Sequence, residues 1–144
     1  MEYQIGETGR VIVARFNDGE DFIGCLKELA RREYIRAAVI QLVGGIKRGK
    51  YVSGPERDEI PPVPLWRELE ESHELVGVGT LFWHGENPEI HIHGAFGKED
   101  QVKAGCLRED SEVFLVLEAV VTEIRGVSVT REMDSRLGMV LLKV

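Results

Sequence analysis

Cysteine is nearly absent from this chain: Cys25 and Cys106 are the only two. That rules out a disulfide-built scaffold, and in a reducing compartment even the single bridge they could form is not expected. Long apolar runs are missing too. The longest, Val113 to Leu117, is stopped by Glu118, far short of the roughly 20 residues a membrane helix needs. The opening residues, Met1-Glu2-Tyr3-Gln4-Ile5, have neither the basic nor the apolar stretch of a signal peptide, so a cytoplasmic protein with no membrane partner is expected. Positive charge is in deficit, with 18 Lys and Arg against 25 Asp and Glu for a net charge of −7. Phosphate backbones are repelled by such a balance. Direct nucleic-acid binding would therefore need a local patch, for which Arg31, Arg32, Arg36, Lys47, Arg48 and Lys50 are the candidates. The glycines at 44, 45 and 49 lack the lysine-serine or lysine-threonine step of a phosphate loop. Five scattered serines offer no nucleophile elbow. Asparagine and glutamine are rare, two and three residues beside abundant Glu, Arg and Lys, which is a thermophile-like bias.

What is present describes one globular domain spanning residues 1–144, with 43% hydrophobic and 30% charged residues. Arg10 to Phe16 reads as a first strand, and Asn17-Asp18-Gly19 breaks it. Asp18 is placed to cap the following helix, with Glu20 and Asp21 in its first turn. Phe22, Cys25, Leu26, Leu29 and Ala30 recur at helical spacing and predict one amphipathic helix over about residues 20–34. Ala37 to Val43 is a continuous apolar strand that Gly44-Gly45 should end, and Ile46 to Gly54 resumes as a more polar one. The prolines at 55, 61, 62 and 64 make the next segment a surface loop. Strands then follow over 75–83, 88–97, 112–124 and 139–144. The fold class is α+β: a mostly antiparallel sheet with one main helix.

Chemistry concentrates in Pro88-Glu89-Ile90-His91-Ile92-His93-Gly94-Ala95-Phe96-Gly97. Strict alternation gives this strand an apolar face and a second face carrying both histidines. His91 and His93 then lie roughly 6.6 Å apart along the strand, close enough to converge on one metal ion. Cys106, beyond a polar turn, can return as a third ligand. His84 is a weaker candidate for the fourth position and otherwise a solvated turn residue. His73, among acids, is expected to face solvent. Glu118 interrupts an apolar strand on the side of Phe114, Val116 and Val120, so a buried carboxylate is expected there. Its two readings are a catalytic acid or base near the metal and an intersubunit ion pair with Arg125 or Arg131.

From Gly9 to Leu142 the chain resembles the plant and prokaryote conserved (PPC) domain family, related in architecture to acetolactate decarboxylase. Gly9-Arg10, Leu42-Val43-Gly44-Gly45-Ile46-Lys47, His91-Ile92-His93-Gly94-Ala95-Phe96-Gly97, Leu117-Glu118-Ala119-Val120-Val121 and Arg131-Glu132-Met133-Asp134-Ser135-Arg136-Leu137-Gly138 are similar to that family's segments, in order. Ala104-Gly105-Cys106-Leu107 stands where the family shows Gly-Gly-His-Leu. The resemblance implies a homotrimer with a zinc site on His91, His93 and the residue at Cys106; the cysteine either keeps the site as a thiolate ligand or marks its loss. It also implies an interaction module or transcription-related accessory with a protein partner. The alternatives are a zinc-dependent lyase or hydrolase assisted by Glu118 and, ranked last, direct DNA binding. No AT-hook-like Arg-Gly-Arg is present.

Overall fold

A computed structural model describes residues 1–144. Eight strands and one helix follow in the order β1 (Glu7–Asn17), α1 (Phe22–Arg32), β2 (Ala37–Pro55), β3 (Pro64–Leu69), β4 (His73–His84), β5 (Asn87–Lys98), β6 (Gln101–Arg125), β7 (Thr130–Asp134) and β8 (Met139–Lys143). Every strand pairing is antiparallel. The class is α+β, weighted heavily toward β. No helix is long and apolar enough to cross a membrane.

Six strands form one sheet in the order β1-β6-β5-β4-β2-β3, and an extra β6–β2 pairing bends it round on itself. Strands β2, β4, β5 and β6 thereby form a closed ring. β6, 25 residues long, makes this possible by pairing with β5 at its start, β1 at its end and β2 along most of its length. Alternation then fixes what lies inside. Ile40, Leu42, Leu81, Ile92, Phe96, Leu107 and Leu117 join one buried cluster, each with its chain neighbours turned to the outer wall.

The helix closes this cluster with Phe22, Leu26 and Ala30. It is shorter than the 20–34 expected. Tyr34 takes a left-handed φ of 54°, which ends the turn after Glu33. Its N-cap is Asp21, with no side-chain cap bond; instead the Ser111 hydroxyl on β6 accepts from the Ile23 N–H at 3.2 Å. Asp18 does not cap it, because its Oδ1 accepts from the Leu115 N–H at 2.8 Å.

Other expectations need correcting. Gly44-Gly45 does not end a strand but bends β2, which runs on to Pro55. Gly44 sits at φ 141°, and a Cβ there would run into the Val116 carbonyl, so glycine is what lets β2 lie against β6. The proline-rich segment ends in an edge strand, β3, tolerated because an edge leaves one side unpaired. His73 is buried, not solvent-facing, its Nδ1 at 2.7 Å from the Glu71 carbonyl. The β7–β8 hairpin forms a separate two-stranded sheet packed against β4.

Candidate metal centre

β5 presents two chemistries because it is buried on one side only. Ile92, Gly94 and Phe96 face the core, while Glu89, His91, His93 and Ala95 stand on the outer wall. Pairing supplies the rest. His93 is directly opposite Cys106 on β6 and Val78 on β4, and His91 is opposite Thr80. Cross-strand neighbours of this kind have Cβ atoms about 4.5–5.5 Å apart, so the register alone brings Cys106 to the histidines. Cys106 lies within β6 and not at its edge. Its neighbour Gly105 permits close approach, since a Cβ there would press on the Val52 carbonyl and the Tyr51 ring.

The three donor atoms of His91, His93 and Cys106 all lie within 4.8 Å of one another. The two Nε2 atoms are 3.1 Å apart. Ligands about 2.0–2.3 Å from a common tetrahedral ion would be separated by roughly 3.3–3.6 Å. The donors therefore need only small rotamer adjustments to share an ion. Two imidazoles and a sulfur are also a donor set that suits zinc, and the residues fit a metal on geometry and chemistry alike.

The surroundings favour uncharged donors. Burial, followed by the fields of Arg131, His93 and Arg108, pushes His91 down to about 4, so its ring is neutral and free to ligate near pH 7. Burial pushes the Cys106 thiol up, opposed by Arg108 and Arg131. Metal uptake must displace that thiol proton.

Arg131, on β7, sequence reasoning did not place here. Its guanidinium donates from Nη2 to Thr80 Oγ1 at 3.1 Å and stands 5.9 Å from the Phe82 ring centre. Thr80 and Phe82 flank His91 from β4. No local pattern around Arg131 signals this; it follows from where the β7–β8 hairpin packs.

Two candidates fall outside the cluster. His84 is exposed at the end of β4, opposite Asn87, and is not among the grouped donors. Glu118 is exposed rather than buried. The inward positions of β6 are Val113, Leu117, Ala119 and Val121, which turns Glu118 out with Val116, between Arg15 on β1 and Val43 on β2. Within the chain neither suggested arginine pairs with it: Arg125 binds Glu123 and Arg131 binds Thr80. The proposed basic patch is largely neutralised, with Lys47 and Arg48 on Glu112, Lys50 on Asp110, and Arg32 on Glu33.

Fold and donor cluster together define a small closed-sheet domain with a candidate metal centre on its outer wall. The model of the Plants and Prokaryotes Conserved (PCC) domain matches residues 3–125, and the chain belongs to that family. Among solved structures, it is similar to a plant- and prokaryote-conserved (PPC) protein from Pyrococcus horikoshii, at 27% identity and a TM-score of 0.86, covering 100% of this chain and 98% of that one. A metal-containing protein from Archaeoglobus fulgidus is similar at 25% identity and the same TM-score of 0.86, covering 100% of both chains. A Ralstonia eutropha protein, provisionally described as DNA-binding, shares the fold at 19% identity and a TM-score of 0.77, covering 92% of this chain and 90% of that one. No curated protein matches the chain.

Proposed function

We propose that this protein is a metal-binding PCC-domain module in which His91, His93 and Cys106 hold one divalent ion, zinc by the softness of its donors. The observation that carries the reading is the convergence of three donor atoms, from two paired strands, within 4.8 Å. The similar Archaeoglobus protein's description as metal-containing supports it. Three protein donors leave a fourth position open, which suits exchangeable-ligand binding more than a closed structural site.

The module is proposed to assemble as a homotrimer and to serve as an interaction or transcription-related accessory. Support comes from the outer wall, where Val43, Val76 and Val78 are exposed on the adjacent strands β2 and β4, and Val11 and Val13 on β1, one strand beyond β2 across β6. A patch of that kind on a soluble domain marks a contact surface. Within one chain Glu118 does not join the donor cluster, so this carboxylate lends the enzymatic alternative no support. For direct DNA binding, four of the six basic residues, Arg32, Lys47, Arg48 and Lys50, are shared with acids of the chain, which weakens that reading.

Elemental analysis and light scattering test the two halves. Protein produced with zinc in the medium should carry about one ion per chain, and a His91→Ala/Cys106→Ala double variant should carry almost none. Its mass should be three times the 16.2 kDa of one chain. Protein free of metal under zinc-replete conditions overturns the metal reading. A monomeric mass overturns the assembly.

A further inference from the structure

Arg131 is the one residue of this chain with a buried side-chain polar atom that has no hydrogen-bond partner. It is only 8% exposed, and the orphaned atom is Nε. Of the five N–H donors of a guanidinium, one is engaged, by Thr80 Oγ1. It has no salt-bridge partner within the chain. The acid whose field reaches it, Glu89, is held by Lys27 Nζ at 3.1 Å, and the field of Arg108 adds a like charge. Burial accordingly pushes its guanidinium down from the ordinary arginine value.

A buried cation without an acid is among the costliest arrangements a fold can keep. Here it sits beside the donor cluster. Thr80, which fixes it, is the cross-strand partner of His91. A divalent ion on two neutral imidazoles and one thiolate would leave a net positive centre next to two further positive charges. Within the chain only the field of Glu89, itself held by Lys27, works against that excess. What the site is short of is an anion.

We infer that the His91–His93–Cys106 centre takes a small carboxylate, seated between the metal's open position and the guanidinium of Arg131. The inference rests on the metal reading proposed above. A carboxylate fits the planar fork of a guanidinium with two oxygens at once, and its second role, as an oxygen ligand to a divalent ion, is ordinary zinc chemistry. Thr80 and Phe82 hold the fork in place before the ligand arrives, which lowers the cost of binding. Arg131 is thereby a ligand-binding residue, with Thr80 positioning it.

The test uses cobalt(II)-loaded full-length protein, whose visible absorption reports the ligands around the ion, titrated with acetate, inorganic phosphate and chloride in turn. Acetate should shift the spectrum saturably and bind more tightly than phosphate or chloride. Arg131→Gln should retain cobalt but bind acetate about tenfold more weakly or worse, the loss expected for a hydrogen bond to a charged group. Thr80→Val removes only the contact that holds the fork and should weaken acetate by about threefold or more; it decides the question if Arg131→Gln does not fold. Unchanged acetate affinity in the folded variants overturns the inference, as does phosphate or chloride binding more tightly than acetate. So does an Arg131→Gln protein that dissociates into single chains with acetate binding intact, since the guanidinium would then serve the interface. Failure to take up cobalt at all is a different result: it overturns the metal reading and this inference with it.

Discussion

Two arginines of this domain meet opposite fates. Arg10, on β1, donates to Glu123 on β6 from Nε, Nη2 and its own backbone N–H, each at 3.0 Å. Arg125 adds a further bond to the same carboxylate. The Glu123 side chain is only 10% exposed, while that of Arg10 is 41% exposed, so the charge that is hard to hydrate is the one best bonded. Arg131 inverts this pattern. There the guanidinium is buried, no acid pairs with it, and its one hydrogen bond goes to a hydroxyl. A closed network that satisfies its buried charge is a fastening between β1 and β6. An open one beside three candidate metal donors is, on the reading proposed above, a place kept for a ligand, and folds commonly sacrifice stability at such places.

The contrast breaks most visibly at Glu123. Glu123→Ala removes the acceptor for Arg10 and Arg125 and should destabilise the protein by about 1–2 kcal/mol. The loss stays in that range because both guanidinium groups reach water and rehydrate. Urea unfolding measures it through the transition midpoint. A midpoint shift near zero would mean that the two arginine environments are energetically alike.

A smaller effect appears with pH. Hydrogen bonds from Arg10, side chain first and backbone second, hold the Glu123 carboxyl down at about 2, against an ordinary 4.5. The folded state therefore binds the proton less readily than the unfolded one. The contribution of this carboxylate is complete above about 4.5 and disappears as pH falls toward 2. Other carboxylates with partners, such as Glu112 beside Lys47 and Arg48, add to the same acid loss. The difference between wild type and Glu123→Gln isolates the one group: their stability gap should narrow steadily over that window. Parallel curves would remove Glu123 from the account.

How far the sequence discloses these two networks follows from the range of the interactions involved. His91 and His93 are legible because strand alternation is local, and Cys106 because a short hairpin returns it opposite His93. Glu118 misleads because its apolar companions Phe114, Val116 and Val120 are themselves on the outer wall; the inward set is Val113, Leu117, Ala119 and Val121. Two apolar phases on one strand cannot be ranked without knowing which side carries the core. The bend at Gly44 and the burial of His73 and Arg131 depend on contacts between distant segments: β2 with β6, the inside of the closed ring, and the β7–β8 hairpin with β4. No residue near them in the chain announces those contacts.

The smallest expected effect sharpens the comparison most. Arg131→Met replaces a buried charge that has no acid with an apolar chain of similar length. Trading an unsatisfied buried ion for a packed thioether removes a desolvation penalty, and the lost bond to Thr80 Oγ1 offsets part of the gain. The expected urea midpoint is equal to or above that of wild type, with a change within about 1 kcal/mol. Glu123→Ala and Arg131→Met would then differ in sign or nearly so, although each removes a charged group that is buried in its own network. Met cannot bind an anion, so any gain in stability would come with loss of acetate binding in the cobalt-loaded protein. A loss of 2 kcal/mol or more in Arg131→Met would show that the guanidinium holds the β7–β8 hairpin against β4, and it would move Arg131 to the same side of the comparison as Arg10.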